Sequence, residues 1–275
     1  MAELSAQEVA AYQRDGILIP NYRLPAAQLA GLRAALDAVI AANPSVRPEQ
    51  LVSAHIAHND ERGANEEGVR GHSAFLEIAR DPDLLDLVAQ VIGEDIVLWG
   101  CHIFCKPGGD GREVPWHQDG HYWPIRPLAN CTLWLALDDS RVENGCLRVI
   151  PGSHRGNTLH PHLREERPGL ALNQTIDPAL MDEAEALDVE LEAGQFSLHD
   201  VHLIHGSNPN RSPKRRAGVA IRYMPATSHF DRGIFEVGAQ SGLHVDFATR
   251  PLWLLRGVDR SGRNDFTIGH AAVNA

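Results

Sequence analysis

In the run PWHQDGHYWPIRP (Pro115 to Pro127), His117, Asp119 and His121 alternate, in a stretch whose prolines disfavour a helix. Residues at i, i+2 and i+4 of a strand share one face, so two imidazoles and a carboxylate converge there, and a metal ion is what such a set can hold. The same alternation also fits the polar outer face of an ordinary strand. Further donors stand downstream in FSLHDVHLIHGS: His199 and His205 share a face by the period of a strand, and His202 points the other way. Two histidines and one carboxylate on one side of Fe(II) leave positions for a chelating cosubstrate and O2, and a zinc hydrolase could use the same donors. Arg216, eleven positions after His205 across the turn NPNRSPK, weighs toward the first chemistry. A cosubstrate that chelates through a keto-acid end needs its far carboxylate held, and a guanidinium does this with two parallel hydrogen bonds. Ser207, on the same strand face as His205, offers that carboxylate a hydroxyl. Taken alone, RSPKRR reads first as an ordinary solvated basic turn.

Such a set needs a rigid frame. Ser5 and Glu8 form a capping box and Gly16 sits where a helix should stop, so residues 5–15 read as a first helix. Leu29, Leu32, Leu36, Val39 and Ile40 repeat at helical spacing up to Asn43-Pro44, and Asp81-Pro82 opens a third helix that ends at Gly93. GILIPN reads as a short strand and residues 44–72 as loop. From Ile96 the texture changes to β-prone runs separated by Gly, Pro, Asn and Asp: IVLWGCHIF, CTLWLAL, NGCLRVI, VELEAGQFSL, VHLIHG and RAGVAIRYMP. They predict an antiparallel barrel or sandwich, interrupted by a partly helical acidic insertion over residues 156–188, with Asn144-Gly145 as a hairpin turn. Cys101 and Cys105, four apart on one strand face, read as buried packing.

The chain has 275 residues and a formal net charge of −11, which disfavours nucleic acid or an anionic membrane surface as the main partner. Four cysteines without a C-x-x-C pair, a polar N-terminus and no long apolar run make a cytoplasmic location the expectation.

The residues WHQDGHYWPIRP, CTLWLAL, ENGCLRVIPGSHRG and HGSNPNRSPKRRAGVAIRYMP together resemble the phytanoyl-CoA dioxygenase family of iron- and 2-oxoglutarate-dependent oxygenases, over roughly Leu4 to Phe266. The resemblance implies a mainly β fold with flanking helices, its core a double-stranded β-helix (jelly-roll, cupin-like). One dioxygenase domain over 1–275 is expected, with a helical part about 1–93, a core about 94–230 and a C-terminal extension about 231–275. His117, Asp119 and His205 match the family's iron ligands, and Arg216 and Ser207 match its anchor for the distal carboxylate of 2-oxoglutarate. Trp134 matches an aromatic lining that cosubstrate's pocket, though it equally suits plain core, and His102 matches a further cosubstrate-side position. His121 is then left to border the pocket with Tyr122 and Trp123. Asp119 stands where related halogenases carry a small residue, so hydroxylation is implied. The implied reaction oxidises an unactivated C–H bond of a small molecule with Fe(II), 2-oxoglutarate and O2, releasing succinate and CO2. Acyl-CoA, amino-acid and natural-product substrates all occur among similar proteins, and Arg211, Lys214 and Arg215 could meet CoA phosphates or be ordinary surface charge. The alternative is a hydrolytic or non-catalytic metal-binding barrel.

Overall fold

A computed structural model describes residues 2–57, 69–234 and 247–270. The helical part begins with α1 (Ala6–Asp15), followed by β1 (Ile17–Leu18), α2 (Ala26–Ala42), β2 (Leu51–Val52), α3 (Ala74–Ala79) and α4 (Pro82–Ile92). Then come β3 (Ile96–Lys106), β4 (Val114–His117), β5 (Ile125–Arg126), β6 (Cys131–Ala136), β7 (Leu147–Val149), β8 (His162–Arg164) and β9 (Gln174–Ile176). The remaining strands are β10 (Leu187–Val189), β11 (Phe196–Asp200), β12 (His205–Ser207), β13 (Arg216–Pro225), β14 (His229–Phe230) and β15 (Trp253–Arg256).

The helices start and stop where their ends are chemically satisfied. Ser5 and Glu8 close the capping box of α1, and Gly16 ends it with φ of 75°. Asp81 accepts hydrogen bonds from Asp83 and Leu84 at the start of α4, and Pro82 takes the first turn. Leu84, Leu85, Leu87 and Val88 of α4 are buried with Leu32, Leu36 and Val39 of α2. Each fully buried aliphatic side chain of this kind contributes roughly 1.5–3 kcal/mol. The short α3 lies in a stretch to which the sequence assigned no element. At six residues it is too short to show a period, and packing holds it: Phe75 is fully buried and the Tyr223 hydroxyl donates to the Ala79 carbonyl.

The helices cover one face of a seven-stranded antiparallel sheet, ordered β1-β11-β6-β13-β3-β15 with β2 also on β3. Side chains alternate across it. Leu133 and Leu135 of β6, Phe196 and Leu198 of β11, and Ala217, Val219, Ile221 and Tyr223 of β13 enter the helical core, with Cys101, Ile103 and Cys105 of β3. The opposite face looks toward a four-stranded sheet ordered β10-β7-β12-β4, and Trp134, Ala136, Leu147, Val149 and Ala220 fill part of the space between.

Four sequence expectations change. VHLIHG is not one strand: a turn at 201–204 separates β11 from β12, which belong to different sheets. VELEAGQFSL likewise divides between β10 and β11. Asn144-Gly145 is no hairpin turn, because β6 and β7 lie in different sheets; Asn144 closes a 3₁₀ turn over Val142–Asn144 and Gly145 follows with φ of 77°. The insertion at 156–188 holds the antiparallel pair β8/β9 and short 3₁₀ turns rather than an α-helix. Its acidic run is capped locally by Asp177 and Asp182, whose side chains compete with helical hydrogen bonding. Of the loop expected over 44–72, residues 58–68 lie outside the described residues, and the rest includes a 3₁₀ turn and β2. No helix among the described residues is long and apolar enough to cross a membrane.

His55 sits in this core with neither ring nitrogen hydrogen-bonded, and burial, then the charge of Arg250, pushes its pKa down from 6.5 to about 3. The unfolded chain therefore binds a proton below pH 6.5 that the folded chain does not. Stability is intact above that pH and is lost as pH falls from 6.5 toward 3. One such imidazole costs up to about 2 kcal/mol between pH 7 and pH 5. Thermal unfolding over that range should show a falling midpoint, with a shallower fall in His55→Gln.

Candidate metal centre

β12 pairs antiparallel with β4, and the register places His205 directly opposite His117. Their rings come to 4.2 Å between centroids. Each ring is turned the same way by its own backbone: Nδ1 of His117 lies 2.9 Å from the Pro115 carbonyl and Nδ1 of His205 lies 2.9 Å from the Leu203 carbonyl. With Nδ1–H donating to those carbonyls, each Nε2 presents its lone pair. Asp119 completes the group, its carboxylate 3.8 Å from His117 Nε2 and 4.0 Å from His205 Nε2. One donor atom from each of the three lies within 4.8 Å of the others, and all three residues are buried.

The strand alternation of His117, Asp119 and His121 does not extend past His117. β4 ends at His117, and Asp119–His121 form a 3₁₀ turn, so Asp119 arrives from a turn and His121 leaves the group. His121 instead stacks on His162, 4.2 Å between centroids. The turn is held by Gln118, which is fully buried. Its backbone N–H donates to His162 Nε2, its side-chain amide donates to the carbonyls of Thr158 and His202, and its Oε1 accepts from the His160 N–H. Nothing in the sequence pattern marked Gln118 except its place between two candidate donors.

His199 reaches the group from the other sheet, Nε2 3.9 Å from Asp119, with neither ring nitrogen hydrogen-bonded. The face-sharing of His199 and His205 is thus real although the two are on different strands. Burial, partly offset by Asp119, lowers the pKa of His117; burial and the neighbouring His117 push His205 down to about 3. Burial alone would raise the Asp119 carboxyl. His199, His205, Arg222 and His117 reverse this and hold it well below the usual carboxylate range, and of these only Arg222 is a permanent cation. Two neutral imidazoles and an ionised carboxylate are the donor forms a divalent metal requires, and the set fits one.

These residues border one cavity, which Phe104, Trp134, Leu147 and Ser207 also line. Arg216 opens β13 there, 3% exposed, its Nε without a hydrogen-bond partner. Its guanidinium lies over Trp134, 5.2 Å from the ring centroid, and burial pushes its pKa down to about 10. Trp134 can lie there because β13 carries Gly218 beneath it, where any Cβ would run into the indole. Lys106, paired in register with Arg216, is also fully buried. Its ammonium donates to the Ser207 hydroxyl at 2.7 Å and to the Asn208 carbonyl, and burial, then Arg216, pull its pKa well below the ordinary lysine value. Its partner Ser207 borders the cavity; His102 stacks on Phe104 at 4.0 Å, and it is Phe104 that forms the wall. Arg215 is engaged elsewhere, with Asp138 and Asp37, and Lys214 faces Glu143.

The family model described as Phytanoyl-CoA dioxygenase (PhyH) matches residues 12–218. A similar curated protein is the ectoine dioxygenase of Bordetella bronchiseptica, 28% identical over 244 residues that make up 80% of this chain and 75% of that protein. A probable alpha-ketoglutarate-dependent hypophosphite dioxygenase of Stutzerimonas stutzeri is 31% identical over 154 residues, 56% of this chain and 54% of its own. Among solved structures, the non-heme monooxygenase ThoJ in its apo form superposes with a TM-score of 0.69 at 25% identity, covering 93% of this chain and 86% of its own. EctD from S. alaskensis with bound Fe shares the fold, with a TM-score of 0.60 at 22% identity over 82% of this chain and 78% of its own. The two facing sheets are accordingly a jelly-roll core flanked by helices.

Replacing Gln118 by Ala removes three side-chain hydrogen bonds that pin the Asp119 turn. Chemical denaturation should show a loss of about 2–4 kcal/mol. Co(II) affinity should fall 10–100-fold, as expected when a residue supporting a metal ligand is lost.

Proposed function

The chain belongs to the phytanoyl-CoA dioxygenase family, and from that premise we propose that it hydroxylates a C–H bond of a small-molecule substrate with Fe(II), 2-oxoglutarate and O2, releasing succinate and CO2. The observation that carries this reading is the pairing of the donor group His117, Asp119 and His205 with two buried cations, Arg216 and Lys106, in and beside one cavity. A hydrolytic metal site needs no buried, unpaired guanidinium. A dicarboxylate cosubstrate does.

His117, Asp119 and His205 would hold the iron on one side, and Fe(II) with 2-oxoglutarate supplies the oxidising chemistry when bound. The chain's own part is orientation. The carbonyls of Pro115 and Leu203 fix both imidazoles with Nε2 toward the metal position. Arg216 would hold the distal carboxylate by charge-assisted hydrogen bonds, and Trp134 lies against its guanidinium. Lys106 positions the Ser207 hydroxyl beside that carboxylate and adds positive charge. Trp134, Phe104 and Leu147 keep the cavity wall apolar, which strengthens the charge contacts inside and limits water. His102 stacks on Phe104, which lines the cavity, and supports the cosubstrate side through that ring.

Aerobic incubation with Fe(II) and 2-oxoglutarate should release succinate, dependent on both. Arg216→Leu should raise the apparent KM for 2-oxoglutarate at least 10-fold, the cost of one charge-assisted contact of about 1.5–3 kcal/mol. Asp119→Ala should abolish release. Succinate formation unaffected by Arg216→Leu would remove the cosubstrate assignment.

A further inference from the structure

Six positions beyond Arg216 on the same strand, Arg222 turns a second guanidinium into the cavity. It is 7% exposed. Its Cζ lies 4.8 Å from the ring centroid of Trp123 and 5.3 Å from that of Trp99, and those indoles meet edge to face at 4.5 Å. Stacking satisfies the faces of a planar cation and leaves its five N–H donors, which point outward in the plane. Among the described residues the Arg222 side chain makes no hydrogen bond and no ion pair, and its Nε is buried without a partner. Leaving charged donors buried and unmet is costly, more so than for neutral groups. A guanidinium kept only to fill space between two indoles would be better replaced by an apolar side chain.

The placement says what should meet it. Six residues of strand span roughly 20 Å, so Arg216 and Arg222 approach the donor group from opposite ends of β13. A cosubstrate anchored at Arg216 reaches the metal position from one end. Arg222 acts from the other, where its charge is felt by Asp119, His117 and Tyr122. That side is backed by an apolar cluster that includes Trp99, Trp123, Phe230 and Phe247, with Tyr122 and Leu128 packed against it. We propose that Arg222 seats a carboxylate of the molecule to be oxidised, so that the substrate class is small organic acids with an apolar body. This rests on the iron and 2-oxoglutarate reading above. The other source of the same chemistry is the keto-acid end of 2-oxoglutarate itself, and the test separates the two.

Protein loaded with Ni(II), which carries no turnover, is titrated calorimetrically with 2-oxoglutarate; this step alone reads the cosubstrate assignment. Acetate, hexanoate and benzoate are then titrated, each beside its neutral amide, with tryptophan emission as a second signal from Trp99 and Trp123. At least one acid should bind 10-fold or more tightly than its amide. Arg222→Met should bring that ratio to within twofold of unity while leaving 2-oxoglutarate affinity unchanged, and Arg222→Lys should keep part of the preference. The comparison of acid with amide in the unaltered protein needs no variant to fold. The proposal is overturned if acids and amides bind alike throughout the series, or if Arg222→Met weakens 2-oxoglutarate and spares the monocarboxylates. The latter result would assign Arg222 to the cosubstrate.

Discussion

The apolar contact between the helices and the seven-stranded sheet decides where each polar residue of the site points. Strand side chains alternate, so once Ala217, Val219, Ile221 and Tyr223 are committed to the helical core, Arg216, Gly218, Ala220 and Arg222 must face the second sheet. The same commitment by Leu133 and Leu135 turns Trp134 inward, and that by Phe196 and Leu198 turns His199 inward. A one-residue slip of β13 would turn both arginines into the apolar helical core. The helical layer therefore supports the chemistry without touching it.

The second constraint is electrostatic. The donor group carries one ionised carboxylate and neutral imidazoles, whereas Arg216, Arg222 and Lys106 are buried cations around it. Protein acceptors meet Lys106, but the two guanidiniums are met mainly by aromatic faces. Buried guanidiniums at two separate positions of β13 favour anions there, and the three donors between the sheets suit a divalent cation. The net charge of −11 makes this local reversal more telling, because the surface as a whole repels what the cavity attracts.

Much of this was legible in the sequence, for reasons that differ by residue. His117, Asp119, His205 and Arg216 stood out because few structures need those types at that spacing, and the cavity brings the four together. The capping residues Ser5, Gly16 and Asp81 marked helix ends because capping is a local interaction. What escaped depended on contacts between distant segments. Gln118 joins four residues from 158 to 202. Lys106 stands just past the apolar run IVLWGCHIF, and only the pairing with β13 and the contact with Ser207 bury it. Arg222 resembles any strand arginine until Trp99 and Trp123 are placed beside it. The division of VELEAGQFSL and of HDVHLIHG between two sheets was hidden for the same cause: periodicity reports a face, not which sheet a strand joins.

Everything above turns on three donors holding iron beside a cosubstrate anchored at Arg216. The most direct measurement is an anaerobic Fe(II) titration with and without 2-oxoglutarate, following the weak visible charge-transfer band of the chelate. A band should form that needs both components, is lost in Asp119→Ala and requires higher 2-oxoglutarate in Arg216→Leu. Iron binding with no band at any 2-oxoglutarate concentration would contradict it.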